Sequence, residues 1–214
     1  ESELMAVYEG QDARVKRSII SSLQEYETDE VTTFILDIME NEENDYLVSS
    51  ALSTLIKIDF DKAKEKFDWA MEQESHGETI RSTALGILTE EKTDSNLIKL
   101  KELAVYGAAH YNLRGSIFCR IASYREEHPD LIDFFAEHIN DSHRWVRWNC
   151  ANQIIRHGNA DQFADVLDMA DAEPLRGGRI ADIYSTLERR LAKLKKSKDR
   201  KEAKEVKKML KMFT

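Results

Sequence analysis

Apolar residues recur along this chain in a six-residue phrase that returns at intervals of 32 or 33 residues. It reads Val15-Lys16-Arg17-Ser18-Ile19-Ile20, Leu47-Val48-Ser49-Ser50-Ala51-Leu52 and Ile80-Arg81-Ser82-Thr83-Ala84-Leu85. It continues as Leu113-Arg114-Gly115-Ser116-Ile117-Phe118 and Val146-Arg147-Trp148-Asn149-Cys150-Ala151, with a weaker copy around Gly178-Arg179. A fixed period of this size marks a stacked array of small units rather than one closed core. Within a unit the pattern predicts two helices. Asn96 to Val105 sets Leu97, Leu100, Leu103 and Ala104 on one face, and Gly107 ends that helix by taking the left-handed cap conformation cheaply. Leu113 to Tyr124 then sets Leu113, Ile117, Ile121 and Tyr124 in phase. The next unit repeats the layout: Pro129 in a first turn, Leu131, Phe134, Phe135 and His138 behind it, a turn at 140–143, and Val146 to Ile155 closed by Gly158. Second helices are expected near 14–25, 46–57, 79–88, 113–124, 145–156 and 178–194. Neither helix of a pair can bury its apolar stripe alone, and stacking neighbours solves that. The expected fold is all-α, a right-handed α-solenoid of about six helix pairs over residues 1–188 with a basic helical extension at 189–214.

The second position of the phrase carries Arg81, Arg114, Arg147 and Arg179. An arginine opening a helix covers apolar surface with its stem and reaches a turn carbonyl or carboxylate with its guanidinium. Asp141, six residues before Arg147, stands in a suitable turn. These four arginines are therefore expected to form a structural ladder, with ligand contact as the alternative. An apolar residue, Arg, two variable residues, Ala or a similar apolar residue, and Leu on a second helix resembles HEAT repeats, including the short subclass of phycobilin lyase-like proteins. The resemblance covers residues 12–187. Lys16 and Val48 depart from it, which puts the ladder in doubt in the first two units. HEAT repeats imply scaffolding, with second helices lining the concave face.

A narrower resemblance lies in Ile80-Arg81-Ser82-Thr83-Ala84-Leu85-Gly86-Ile87-Leu88 and Tyr106-Gly107-Ala108-Ala109-His110-Tyr111-Asn112-Leu113-Arg114. With Gly177-Gly178-Arg179 leading into a long charged helix, these strings are similar to the C-terminal HEAT region of M1-family zinc aminopeptidases. The resemblance implies a separate upstream catalytic domain holding the zinc, and an enclosing role for this chain. A start at Glu1 and a short leading helix, Glu3 to Tyr8, suit a piece of a longer protein.

Composition narrows the chemistry. With 214 residues, 42% apolar content, only 2 Pro and 8 Gly, long stretches are free to be helical. No apolar run approaches the ~18 residues of a membrane span, and Cys119 and Cys150 fall on apolar phases, as buried reduced thiols of a cytoplasmic protein do. His-Glu-x-x-His, Cys-x-x-Cys, a phosphate-cradling glycine loop and a Gly-x-Ser-x-Gly elbow are all missing from the sequence. His138, Asp141 and His143 cluster around a helix end, where five-residue spacing is poor ligand geometry and a solvated turn is the better reading. The chain is read as non-catalytic, with no catalytic or metal-binding residue and no cofactor of its own.

Charge is uneven. The net value of −9 divides into 37 acidic and 19 basic residues over 1–188, and 3 acidic and 12 basic over 189–214. The acidic body is expected to repel nucleic acid and to suit a basic partner helix or tail. Candidate partner-binding residues are Arg144, Trp145 and Trp148, with Lys195, Lys196, Lys198, Arg200 and Lys201 in the extension. For the tryptophans the alternative is structural: Trp148 packed between repeats and Trp145 shielding the turn. In the extension, Val206, Met209, Leu210 and Phe213 restart an apolar stripe, which favours docking on another surface over a free tail. On that reading, removing 198–214 spares the fold and weakens a partner contact. The leading expectation is thus the enclosure and interaction domain of an M1-like aminopeptidase acting on peptides. Its competitors are a stand-alone HEAT adaptor for a basic protein and, less favoured, a nucleic-acid binder of the HEAT-like DNA glycosylase type.

Overall fold

The computed structural model describes residues 1–105, 111–172, 179–197 and 199–213. All regular structure among them is helical. In chain order the helices are α1 (Ser2–Ala6), α2 (Ala13–Ser22), α3 (Asp29–Asn41), α4 (Asp45–Ile58), α5 (Phe60–Glu65), α6 (Phe67–Glu72), α7 (Thr79–Ala84) and α8 (Ile87–Glu90). They continue as α9 (Asp94–Leu103), α10 (Arg114–Ala122), α11 (Leu131–Glu137), α12 (Arg144–His157), α13 (Ala160–Ala172), α14 (Arg179–Ser197) and α15 (Arg200–Lys211). Short 3₁₀ turns occupy Leu23–Glu25, His76–Glu78 and Tyr111–Leu113. Several helices start where a side-chain oxygen takes an otherwise orphaned N–H: Asp12 for α2, Thr28 for α3, Asn44 for α4, Thr93 for α9 and Asp199 for α15. The residues group into two compact units, Glu1–Arg120 and Ile121–Thr214.

In the first unit α4 is the central helix, packed against α2, α3, α5 and α7. Leu47, Val48, Ala51, Leu52 and Leu55 are all buried on it. The sequence period reappears in the hydrogen bonds between second helices. Thr54 Oγ1 on α4 donates to the Ile20 carbonyl of α2 at 3.2 Å, 34 residues away, and Ser49 Oγ meets Thr83 Oγ1 of α7 at 2.7 Å, also 34 away. Lys57 Nζ donates to Gln24 Oε1 at a separation of 33. Lys16, in place of the expected arginine, reaches Glu42 Oε2 at 2.9 Å, where the Tyr8 hydroxyl also donates at 3.2 Å. Burial opposes ionisation of Glu42, but the Lys16 ammonium, the Asn44 N–H and the Tyr8 hydroxyl outweigh it and hold the carboxyl below its usual range. Burial, then the Glu42 charge, push the Tyr8 phenol upward.

Expected second helices and observed ones differ at 79–88. Here α7 stops at Ala84 and α8 begins at Ile87, because the Gly86 N–H turns to the Thr83 carbonyl at 2.8 Å and tightens the turn. Leu97 and Leu100 are buried on α9; Gly107 lies outside the described residues. Cys119 is exposed, correcting the expectation of a buried thiol: it falls off the Ile117–Ile121 stripe that α10 buries. Cys150 is buried in α12, as expected, and both remain thiols.

In the second unit α12 packs against α11, α13 and α14, and α15 against α13 and α14. On α11 it is Leu131 and Phe135 that are buried, while Phe134 stacks on His138 with centroids 4.4 Å apart. The polar middle of the C-terminal segment is a break between helices: α14 runs through to Ser197 and Asp199 caps α15. Val206 and Met209 are fully buried, and Phe213 packs on Phe163 and Tyr184 with centroids 5.8 and 5.5 Å apart. The apolar stripe of α15 thus closes the core of its own unit, so 198–214 is not a dispensable arm. Truncation at Ser197 is expected to lower the melting temperature and to remove more helical signal by circular dichroism than the lost residues account for. Val206→Asp, which puts a charge in that core, is expected to act in the same direction.

Candidate functional site

Three of the ladder arginines direct their N–H groups at the carbonyl ends of preceding elements. Arg81 Nε donates to the Met71 carbonyl at 2.8 Å, at the end of α6, and its Nη1 pairs with Glu78 Oε2 at 2.7 Å. Glu78 has a φ of 59°, a left-handed conformation that costs a residue with a Cβ, and this ion pair helps to hold it. Arg114 is 1% exposed, and its Nε donates to the Ala104 carbonyl at 2.9 Å, at the end of α9. Arg147 Nη1 donates to the Asp141 and Ser142 carbonyls at 2.6 and 2.9 Å, in the turn after α11. The side chain of Arg179 and all of Lys198 lie outside the described residues.

The arginine the sequence did not single out is Arg190. It is 8% exposed and sits on the apolar stripe of α14, three residues after the fully buried Leu187. Its Nη1 donates to the Ile155 carbonyl at 3.0 Å and its Nη2 to the Gly158 carbonyl at 2.9 Å, satisfying the end of α12. Nε and Nη2 also bind Glu202 Oε1 of α15 at 3.1 and 2.8 Å. One guanidinium therefore ties three helices together. An arginine at an apolar phase was the available sign, obscured by the charge run that follows it.

Beside this clamp runs a trough between α12 and α14. At one end it forms a cavity of about 260 Å³ lined by Trp145, Trp148, Asn152, Asp182 and Thr186 among others. Trp145 is 65% exposed and stands in the first turn of α12, off the Val146–Cys150 stripe. Trp148 is half-buried. A second cavity, of about 350 Å³, shares Thr186 with the first and is lined by Arg156, His157, Arg189, Arg190, Lys193 and Glu202. Among the described residues Arg189 bonds within its own helix, to the Ser185 carbonyl and Thr186 Oγ1. No described carboxylate pairs with Arg156, Arg189 or Lys193. Partial burial first, then the charges of Arg125, Arg190 and Arg156, hold the His157 imidazole down at about 4.

The remaining candidates scatter. Arg144 is exposed at the start of α12. Lys195 and Arg200 line a separate cavity of about 560 Å³ between the last two helices, Lys196 is exposed, and Lys201 is exposed near Glu202. His138 Nδ1 lies 2.8 Å from the Phe134 carbonyl, and Asp141 Oδ1 accepts from the His143 N–H. Among the described residues no group of three or more His, Cys, Asp or Glu is arranged to hold a metal ion, and no helix is long and apolar enough to cross a membrane. Comparison with protein-family models, curated proteins and solved structures yields no match.

Arg190→Met is expected to destabilise the chain by about 2 kcal/mol in urea unfolding, less than a fully buried pair because Glu202 is partly in water. Arg190→Lys, which keeps the charge but lacks the fork, is expected to recover only part of the loss. For His157, a folded-state value near 4 against an ordinary value of 6.5 means that the unfolded chain binds a proton the folded chain refuses. Stability from this group is therefore intact above pH 6.5 and falls as pH drops towards 4. The ring is partly exposed, so water screens the effect to under about 1 kcal/mol. Thermal melts at pH 7 and 4.5 are expected to show a smaller drop for His157→Gln than for the parent chain.

Proposed function

We propose that this chain is a non-catalytic interaction domain of HEAT-type repeats, stacked as a right-handed α-solenoid, that holds a protein or peptide. The observation that carries the reading is the return of the sequence period in three-dimensional contacts. Hydrogen bonds link second helices at separations of 33 and 34 residues across α2, α4 and α7, and at 32 and 35 between α12 and α14. An array of this kind offers an extended face on which a partner can lie. Charge supports a basic ligand for the first unit, because residues 1–120 carry 24 acidic and 13 basic side chains. The resemblance to M1 aminopeptidases gives this role a setting: an acidic wall beside an upstream zinc site, limiting which peptides enter. A stand-alone adaptor for a basic partner uses the same surface in the same way. Two cysteines kept as thiols, one of them exposed, suit the cytoplasm.

The reading is tested by titrating a labelled Lys/Arg-rich helical peptide with the full chain at low and physiological salt. Binding that weakens at least about tenfold over that range is expected, as for attraction between opposite charges. No binding, or equal binding of a Glu-rich peptide, would overturn it.

A further inference from the structure

The trough in the second unit does not fit the acidic face just described. Residues 121–214 carry 18 basic and 16 acidic side chains, against a net −11 for residues 1–120. The local distribution is sharper than that balance. Arg156, Arg189 and Lys193, which pair with no carboxylate among the described residues, gather at one end of the trough. At the other end two indoles flank Asn152 and Asp182. Lining residues of α12 and α14 rise together in number along the trough, so both helices run in the same direction beside it. From Trp145 to Arg156 the groove follows eleven residues of α12, about 16 Å.

We propose that the trough between α12 and α14 binds single-stranded nucleic acid, with bases against Trp145 and Trp148 and phosphates against Arg156, Arg189 and Lys193. Each end selects a different part of the same ligand. The exposed indole of Trp145 offers a face that stacks on any base, with the half-buried Trp148 walling the same cavity, and guanidinium and ammonium groups attract phosphate. Asp182 repels a phosphate and so keeps the aromatic end for the uncharged base, where its carboxylate accepts from an exocyclic amine and Asn152 offers both a donor and an acceptor. An acidic peptide would find the same cations, but it would also meet Asp182 and leave the tryptophans unused. The proposal goes beyond the basic-peptide reading and stands or falls separately, because the two surfaces are in different units and carry opposite charge.

The test is fluorescence anisotropy of the full chain with a labelled single-stranded oligodeoxycytidylate of about twelve nucleotides. Three phosphate contacts predict a roughly twentyfold loss of affinity between about 50 and 200 mM salt, from a slope of about −0.7 per contact. Trp145→Ala, at an exposed position, is expected to weaken binding about tenfold. The pair Arg156→Glu and Lys193→Glu is expected to abolish it while leaving the Arg190 clamp and the far-ultraviolet circular dichroism unchanged. Absence of binding at low salt would overturn the proposal. So would binding that ignores Trp145→Ala, or a polyglutamate of equal length that binds as tightly, since either would make the trough a general anion site or an acidic-peptide site.

Discussion

The last carbonyl oxygens of a helix have no partner in their own helix, and once a neighbouring helix covers them water cannot serve either. In this chain a later arginine supplies the missing N–H. Arg81 serves the end of α6, Arg114 the end of α9 and Arg190 the end of α12, while Arg147 serves the turn after α11. The guanidinium suits the task because its stem packs on apolar surface while its fork bonds in two or three directions. Each such bond fixes the axial position of one helix against another, which apolar packing alone leaves loosely determined. Where the arginine is missing, another polar device appears: Lys16 with Glu42 and Tyr8, and the Ser49–Thr83 pair beside Val48.

Much of this was readable before any coordinates. Period and phase located the central helices well, since Leu47 to Leu55 and Val146 to Ile155 each place a buried stripe at helical spacing. Length was less readable, because local bonds decide it. The Gly86 turn splits one expected helix in two, and Lys66 separates α5 from α6 with a ψ of 0°. The arginines at 81, 114 and 147 stood out by recurring, whereas Arg190 falls outside the repeated phrase and beside a lysine-rich run. Cys119 was misplaced because a small residue one position from a stripe carries little phase information.

The trough was legible only in part. The interleaved Arg144, Trp145, Arg147 and Trp148 drew attention as a string, but they separate in space. Trp145 and Trp148 line the groove, while Arg147 turns to the Asp141 and Ser142 carbonyls. The cations that complete the groove come from the end of α12 and the middle of α14, more than thirty residues apart, and no linear motif joins them. Whole-chain charge pointed the opposite way, because it averages an acidic first unit with a second whose charges are nearly balanced. Sign of charge is a property of a surface, and summing over a chain discards it.

The closure of the second unit by α15 also bears on the order in which the protein acquires structure during synthesis. Ile155 and Gly158 emerge from the ribosome well before Arg190, and Phe163 well before Phe213. Until those later residues are made, α12 and α13 expose carbonyls and apolar faces that their own neighbours cannot cover. At α4 the wait is no longer than the one between α12 and Arg190, since the bonds to α2 and α7 span 34 positions; it is the contact of α13 with α15 that comes later. Vectorial synthesis therefore favours early folding at the amino-terminal side and a late, single-step completion at the carboxyl-terminal side, with nascent chains halted before residue 200 as the form most exposed to chaperones.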